Sequence, residues 1–479
     1  MGLEVFLKDV NEVSRPSTEL CFLTIRDANS LYMCRQLSPV ELTQAHLERI
    51  DECDGRLKSY VTLLPERALS QARIAEAEIM KGHTRGPLHG IPFALKDLFD
   101  TKGITTEAHS KILEGRIPSK DATVVARLNE EGAVLLGKQA MGEFAIGSLK
   151  TKLYDRPHNP WNLNYATGGS SSGSAAGVAS GLCMGALGTD TGGSIRGPAS
   201  YCGIVGLKPT YGRVSRSGVI PLSWSLDHCG PMTRTVEDAA FMLGCISGND
   251  SDDPTSSNAP VPDYVAALQE GVKGLVIGVP RHFFNRPETK VDPEVLSAVE
   301  KALIELQSLG AHLKEIIVPS LEYFRIAHTI IMLTEGLAYH RENLRWHAEN
   351  YADLTWNHLA SGAFFTASDY VQAQRVRSRI SREFEQVFQQ VNAVALPTAP
   401  RTAWPISETD SVVPVDVHNF RAPFDMTGMP AITVPCGFSS AGLPIGLQIA
   451  GRPFDEATIF RVAYAYEKQT KWTKEHPSF

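Results

Sequence analysis

A strand–helix–strand unit in the second half of the sequence restricts the possible folds more than any other feature. The apolar run "GLVIGVP" (Gly274–Pro280) predicts a buried strand, and the helix that follows starts at Asp292 and Pro293 and stops at Gly310. A second apolar run, "LKEIIVP" (Leu313–Pro319), comes directly after that helix. Because a right-handed helical crossover joins parallel strands, this order predicts an α/β fold with parallel pairing.

Further strand-like runs lie on both sides of this unit. They include "GAVLLGK" (Gly132–Lys138), "NAVALP" (Asn392–Pro397) and, near the end of the chain, "AITVPCG" and "PIGLQIAG". The polar, proline-bearing segment Ser247–Asp263 has the composition of a linker, but the apolar runs around it favour a surface loop within one domain. Residues 1–80 are predicted to form a mostly helical wrapping segment, since "SPVELTQAHLERI" opens with a capping box at Ser38.

The overall composition excludes several classes of protein. The 479 residues carry a net charge of −7 with both signs scattered, so no basic stripe follows a phosphate backbone and no nucleic-acid partner is expected. The chain has no run of ~20 apolar residues and no readable export signal, so we expect a cytoplasmic protein without a membrane partner. The eight cysteines contain no C-x-x-C pair, which argues against a zinc site or a disulfide framework, and no cofactor is expected.

A cluster of glycines and serines, "YATGGSSSGSAAGVASG" (Tyr165–Gly181), leads into an alanine-rich helical stretch. Such a loop could cradle phosphate, but no G-K-[ST] follows it and no G-x-G-x-x-G with a ribose-binding acid can be placed on it. The glycines instead allow a close approach of another segment, while Ser170, Ser171 and Ser172 present hydroxyl groups.

A second serine follows two glycines in "LGTDTGGSIRGPAS" (Leu187–Ser200). Arg196 occupies the place of the last glycine in G-x-S-x-G, so Ser194 does not lie on that nucleophile elbow. Consecutive glycines nevertheless let several backbone N–H groups point at one spot, as an oxyanion hole requires.

A serine nucleophile also needs a base. Among the 14 histidines, His228 in "LDHCGP" has the most plausible context. Lys96 lies in the apolar run "HGIPFALKDLFDTKG", where it either reaches water from a strand end or is a desolvated amine whose lowered pKa suits a base. The residues alone leave both possibilities open.

Three segments in this order, "GIPFALKDLFDTKG", "GGSSSGSAAGVASG" and "GTDTGGSIRGPASYCGIVGLKPTYGRVSRSGVIP", resemble the amidase signature family of serine hydrolases. The resemblance continues to "GLPIGLQIAGRPFDE" (Gly442–Glu456). It implies one amidase signature domain over residues 1–479, with a large mixed, mostly parallel central sheet covered by helices on both faces. The catalytic motifs would fall in residues 85–240 and the substrate pocket in residues 320–420.

The resemblance also implies a Ser, cis-Ser, Lys triad. Ser194 would be the nucleophile, Lys96 the base, and Ser170 the bridging serine, preceded by a cis peptide bond from Gly169. The oxyanion hole would consist of the backbone N–H groups of Thr191, Gly192, Gly193 and Ser194. The residues expected to hold these loops are Gly169, Ser171, Asp190 and Arg196, although a plain ion pair between the last two is the alternative.

Three positions depart from the pattern of the family. Glu107 and His109 stand in "TTEAHSKIL" where many members carry small residues, and Ser172 replaces a common glycine. We expect these residues to alter the pocket near Lys96 without removing the triad.

The family implies cleavage of an amide C–N bond through an acyl-enzyme, with aryl or acyl amides favoured. The reason for that preference is an aromatic-rich stretch that either lines an apolar pocket or packs helices together, namely Trp346, Tyr351, Trp356, Phe364 and Phe365. The expected partners are a small-molecule amide or carbamate, with assembly as a monomer or homodimer.

Three other functions compete with this one. A carbamate or urethane hydrolase would use the same chemistry. The glutamine-hydrolysing subunit of a tRNA-dependent amidotransferase would belong to the same family, although residues 332–372 resemble free amidases more. A non-catalytic relative is disfavoured because Lys96, Ser170 and Ser194 are all present.

Overall fold

A computed structural model describes residues 17–408 and 420–478, and one mixed sheet of 11 strands crosses this part of the chain. The strands are β1 (Tyr60–Leu63), β2 (Pro92–Lys96), β3 (Val134–Gln139), β4 (Gly185–Asp190), β5 (Val205–Lys208), β6 (His228–Thr233), β7 (Val276–Val279), β8 (His312–Glu315), β9 (Ala393–Pro397), β10 (Ala431–Phe438) and β11 (Pro444–Ala450). Their order across the sheet is β1-β3-β2-β4-β6-β5-β10-β11-β9-β7-β8.

Helices surround this sheet, with short 3₁₀ turns in several connections. The α-helices are α1 (Ser17–Leu20), α2 (Ile25–Met33), α3 (Pro39–Leu57), α4 (Pro65–Met80), α5 (Thr123–Glu130), α6 (Ser172–Ala179), α7 (Arg196–Cys202), α8 (Val236–Ile246), α9 (Tyr264–Ala267), α10 (Arg281–Phe284), α11 (Pro293–Ser308), α12 (Phe324–Trp346), α13 (Asp353–Ser361), α14 (Ala367–Val387), α15 (Ala422–Met426) and α16 (Glu456–Gln469).

The predicted α/β fold with a large mixed sheet is confirmed. The strand–helix–strand unit forms β7, α11 and β8, and β7 pairs with β8 in parallel. Parallel pairing does not dominate the sheet, however, because four neighbouring pairs are parallel and six are antiparallel. The difference arises where strands follow each other without a helical crossover, as in the β5–β6 loop and the tight β10–β11 turn.

Both faces of the central strands are buried against helices. In β2, Phe93 and Leu95 join one hydrophobic cluster with α5 and α8, while Ala94 between them joins a second cluster with α3, α4 and α6. Alternate residues of a strand point to opposite faces, so the sheet lies between two apolar layers.

The N-terminal segment is mostly helical within its described residues. A complete capping box between Ser38 and Glu41 starts α3, as the sequence predicts. Residues 60–63 form the edge strand β1 rather than helix, and residues 1–16 of the predicted segment lie outside the described part. Strands before and after Ser247–Asp263 belong to the same sheet.

The topology brings two of the motifs that are predicted to be catalytic to one edge of the sheet. Strands β2 and β4 are parallel neighbours, and they end at Lys96 and Asp190 respectively. Loops that follow the carboxyl ends of adjacent parallel strands meet at the same edge. The glycine-rich loop after β4 therefore lies beside Lys96.

Candidate active site

Lys96 is completely buried at the end of β2 and surrounded by hydroxyl groups. Its Nζ lies 2.7 Å from Ser170 Oγ, 2.8 Å from Thr189 Oγ1 and 3.0 Å from Ser171 Oγ. The apolar run that precedes it forms a fully buried strand, so the side chain cannot reach water. The desolvated amine considered from the sequence is therefore the arrangement found.

Burial lowers the pKa of the Lys96 amine to about 7, because desolvation disfavours the charged form. The carboxylates of Asp190 and Asp227 act in the opposite direction and raise this pKa, but by less. A neutral amine with a free lone pair is thus accessible near neutral pH.

Ser170 and Ser194 lie on two loops that touch each other. The Ser171 N–H donates to the Ser194 carbonyl oxygen at 3.2 Å, and the peptide bond between Gly169 and Ser170 is cis. The Gly142 N–H donates to the Ser170 carbonyl oxygen at 2.9 Å. The structure thus brings the predicted base, bridge and nucleophile into one region.

The loop that carries Ser194 depends on glycine. Gly193 has a φ of +115°, and a Cβ there would lie 2.3 Å from Arg421 Nε. Its N–H donates to Asp190 Oδ1 at 2.5 Å, so this predicted oxyanion donor is turned toward a carboxylate. The N–H groups of Thr191 and Ser194, in contrast, donate to no acceptor within the described residues.

Asp190 and Arg196 form a buried network that holds this loop. The carboxylate of Asp190 accepts from the N–H groups of Ile195 and Arg196 at 3.1 and 3.3 Å, and from Arg196 Nε at 3.0 Å. Arg196 also donates to Asp425 Oδ2 at 2.6 Å and to Gln448 Oε1 at 2.7 Å. Burial alone would raise the pKa of Asp190, but the Arg196 guanidinium holds it well below its usual range.

His228, the alternative base, faces backbone carbonyl groups. Its Nδ1 lies 2.6 Å from the Leu226 oxygen and 3.3 Å from the Asp190 oxygen, and burial lowers its pKa well below the usual range. A further histidine, His328 of α12, was not predicted from the sequence, and its Nε2 lies 2.9 Å from the Thr191 carbonyl oxygen. No local pattern points to His328, because 137 residues separate it from Thr191.

The residues that depart from the family pattern support the loops near the site. Glu107 accepts from the Gly115 N–H at 2.7 Å and from the hydroxyl of Tyr154. His109 stacks on Tyr154 with 4.8 Å between ring centroids, and its Nε2 donates to the Leu149 oxygen at 3.1 Å. Both side chains therefore connect neighbouring loop segments to each other.

A small cavity of about 110 Å³ reaches Thr189, a hydroxyl neighbour of Lys96. Its wall is mostly apolar, with contributions from Leu98, Ala145, Val219, Ile220, Pro221, Leu222 and Trp224. Arg216 and Asp227 also line it, but both are engaged. Arg216 donates to Thr255 Oγ1 at 2.6 Å, and Asp227 accepts from the Leu222 N–H at 2.8 Å.

The aromatic residues of the predicted pocket region 320–420 do not line this cavity, as far as the described residues extend. Trp346 and Phe364 are exposed, and Tyr351 is buried with its hydroxyl 3.0 Å from His340 Nδ1. These aromatics either pack helices or face solvent, and residues 409–419 lie outside the described part.

None of the helices in the described part is long and apolar enough to cross a membrane. Within residues 17–408 and 420–478, no group of three or more His, Cys, Asp or Glu side chains could hold a metal ion. The expected cytoplasmic location stays a prediction.

Comparisons with known proteins confirm the family that the sequence motifs indicate. The family model "Amidase" matches residues 41–460. The A subunit of the glutamyl-tRNA(Gln) amidotransferase of Geobacter sp. (strain M21) is 42% identical over 95% of this chain and 98% of its own length. Native peptide amidase from Stenotrophomonas maltophilia superimposes with a TM-score of 0.84 at 32% identity, over 95% of this chain and 98% of that one.

A second similar structure comes from a protein complex described as revealing the evolutionary origins of an s-triazine catabolic enzyme. It superimposes with a TM-score of 0.88 at 31% identity and covers 93% of this chain and 98% of that one. The similar proteins therefore include subunits of larger assemblies as well as a peptide amidase.

The expectation of a small-molecule partner without nucleic acid, and of a monomer or homodimer, is wrong. The relatives at 41–42% identity are named as subunits of an enzyme that acts on glutamyl-tRNA. Such a protein needs no basic stripe when other parts of an assembly hold the tRNA, so net charge is a poor guide here. The preference for a free amidase over the amidotransferase component likewise lacks support from these relatives.

Proposed function

Because this chain belongs to the amidase family, we propose that it hydrolyses a carboxamide through an acyl-enzyme on Ser194 and does so as the glutamine-hydrolysing subunit of a tRNA-dependent amidotransferase. The observation that carries the chemistry is the buried amine of Lys96, 2.7 Å from Ser170 Oγ. The role within an assembly is supported by 42% identity to an amidotransferase subunit over 95% of the chain.

The reaction follows from the properties of these groups. Neutral Lys96 accepts a proton from Ser170 Oγ as Ser170 takes one from Ser194 Oγ, whose oxygen forms a bond to the amide carbon. The C–N bond then breaks, and the relay returns the proton so that neutral ammonia leaves. Water repeats the sequence on the ester, which releases glutamate and regenerates Ser194.

The backbone of the glycine loop stabilises the charge that develops on the substrate oxygen. The N–H groups of Thr191 and Ser194 are the best placed for this role, since that of Gly193 is engaged by Asp190. Asp190 and Arg196 act on the loop and not on the substrate.

A second candidate is a stand-alone hydrolase of small apolar amides, and the cavity near Thr189 favours it. A glutamine substrate brings an ammonium and a carboxylate group, which require partners of opposite charge. Arg216, the cation of the cavity wall, is already bonded within the protein, and so are the carboxylates of Asp227 and Asp253. The fourth charged residue of the wall, Asp252, is exposed. The carboxylate of glutamine would therefore need a cation from outside this cavity.

Ammonia release from glutamine distinguishes the two candidates. The purified chain is assayed alone, and then with the other amidotransferase subunits of its source organism, glutamyl-tRNA(Gln) and ATP. Ser194→Ala serves as the control in each arm. Glutaminase activity that requires the complete mixture supports the role within the amidotransferase.

A panel of acetanilide, butyramide and an aryl carbamate tests the stand-alone candidate. Turnover of these probes by the chain alone, with no glutaminase activity in the complete mixture, supports the apolar amide hydrolase. If Ser194 is acylated by no probe in mass spectra of the labelled peptide, the serine mechanism is wrong.

A further inference from the structure

Two buried histidines hold the carbonyl groups of successive peptide units in the glycine loop. His328 of α12 lies with Nε2 2.9 Å from the Thr191 oxygen. His228 at the start of β6 lies with Nδ1 3.3 Å from the Asp190 oxygen and 2.6 Å from the Leu226 oxygen, so its N–H is shared between these two acceptors. Their side chains come from elements far apart in the sequence, and both are buried. The N–H groups of these two peptide units are those of Thr191 and Gly192.

The chemistry of the contacts determines which ring nitrogens carry hydrogen. A carbonyl oxygen only accepts, so Nδ1 of His228 and Nε2 of His328 must both donate. Burial lowers the pKa of each imidazole, so both rings are neutral and each has one N–H. That single N–H is committed to the backbone, which leaves neither histidine as a base for Ser194.

The direction of the N–H groups follows from the planarity of the peptide. In a trans unit the C=O and N–H bonds point in opposite directions, and the cis bond recorded in the described chain is Gly169–Ser170, not one in this loop. A donor on the Thr191 oxygen therefore directs the Gly192 N–H away from α12. A donor on the Asp190 oxygen does the same for the Thr191 N–H.

The contact also changes the strength of the donor. A hydrogen bond to the carbonyl oxygen polarises the peptide, which makes its N–H a stronger donor. Thr191 is held from a second side as well, because its Oγ1 donates to Asp227 Oδ1 at 2.6 Å. The peptide units around Thr191 are thus restrained through both backbone and side chain.

We propose that His328, assisted by His228, is a positioning residue that holds the two peptide units around Thr191 and so aligns the oxyanion-binding N–H groups of Thr191 and Ser194. This role rests on the proposed acyl-enzyme chemistry at Ser194. It also gives α12 a role in the proposed reaction, because His328 of this helix contacts the backbone of the loop that carries Ser194.

The decisive comparison is between His328→Gln and His328→Leu. Glutamine offers an amide N–H at the position of Nε2, whereas leucine fills similar space without a donor. With p-nitrophenyl acetate as substrate, we expect His328→Leu to lose about tenfold or more in kcat with little change in KM, below the ~10²–10³-fold cost of removing a donor outright. His328→Gln should recover most of that loss.

A control variant and an inhibitor pair separate positioning from general damage. His46 is also buried, and its Nδ1 donates to the Gly181 oxygen at 3.0 Å away from the site, so His46→Leu should leave kcat unchanged. A phenyl trifluoromethyl ketone forms a tetrahedral adduct with an oxyanion, whereas acetophenone does not. The ratio of their affinities should fall in His328→Leu and stay constant in His46→Leu.

If the wild type is acylated at Ser194 and His328→Leu retains both kcat and the inhibitor ratio, the positioning role is wrong while the serine mechanism stands. If the wild type is not acylated, both fail. Should His328→Leu not fold, ¹⁵N spectra of histidine in the wild-type protein give the test, since a His328 tautomer without hydrogen on Nε2 overturns the proposal.

Discussion

The amine of Lys96 and the hydroxyl of Ser170 lie 2.7 Å apart, and both side chains are buried. Two other hydroxyls surround the same amine, but that of Ser171 donates to the Thr189 carbonyl oxygen at 3.2 Å and so accepts from Lys96. A neutral amine has one lone pair, and Ser170 is positioned to donate its proton to it. The proton relay that we propose would therefore begin at this pair.

The pH dependence of the reaction should report this amine. Because burial lowers the pKa of Lys96 to about 7 and only the neutral form is a base, kcat/KM should rise tenfold per pH unit below pH 7 and level off above it. A pH–rate profile of the wild type with an amide substrate measures this. A flat profile between pH 5 and 9 would contradict the role of Lys96.

Replacement of Lys96 should separate activity from stability. Lys96→Met is expected to lose about 10²–10⁴-fold in kcat. Between pH 7 and the ordinary lysine pKa of ~10.4, Lys96 is neutral in the folded protein but protonated in the unfolded chain. The folded state therefore becomes more stable as the pH rises through this range, and the buried amine destabilises the folded state most below pH 7.

The denaturant midpoint of Lys96→Met should consequently exceed that of the wild type at pH 6, and the gap should narrow as the pH rises from 7 to 10. Urea titrations at several pH values give both midpoints. If Lys96→Met is less stable than the wild type at pH 6 and equally stable at pH 10, the difference in midpoint has the opposite sign to the one expected, and burial of the amine does not destabilise the fold.

Asp227 should tune the same amine through its charge. Its carboxylate raises the pKa of Lys96, so Asp227→Asn should move the acid limb of the pH–rate profile to lower pH while keeping the plateau within a few-fold. The asparagine oxygen can still accept from the N–H groups of Leu222 and Ser223. An acid limb displaced to higher pH is the result that would refute this electrostatic role.

Local patterns predicted much of the fold and of the site, but not the contacts between distant segments. The capping box at Ser38 and the run before Lys96 depend on neighbours in sequence, so both could be predicted. The antiparallel pairing of β4 with β6 could not, because no local signal specifies which strand lies beside another. His328 was missed for the same reason, and so was the commitment of the Gly193 N–H to Asp190.

Loss of Arg196 should destabilise the whole protein. Arg196→Met leaves the buried carboxylates of Asp190 and Asp425 without their cation, a change that costs about 3–5 kcal/mol when one partner of a buried pair is removed. The matched control is Arg281→Met, whose pair with Glu300 is partly exposed and contributes at most about 1 kcal/mol. Equal shifts of the urea midpoint in the two variants would show that the buried network contributes no more to stability than the partly exposed pair.

If the cavity near Thr189 receives the acyl group, substitution of Ile220 should change which size of acyl group the protein prefers. Ile220 is buried in the cavity wall, and Ile220→Ala removes three carbons from it. Each methylene accommodated in an apolar pocket changes kcat/KM by about 10-fold or more, so the variant should prefer butyramide or hexanamide over acetamide more strongly than the wild type does. Ile304→Ala, at a position 61% exposed on α11, provides the control for a lost isoleucine elsewhere. If Ile220→Ala loses activity equally on all three amides, the acyl group lies outside this cavity, and the apolar wall then gives no support to the stand-alone hydrolase.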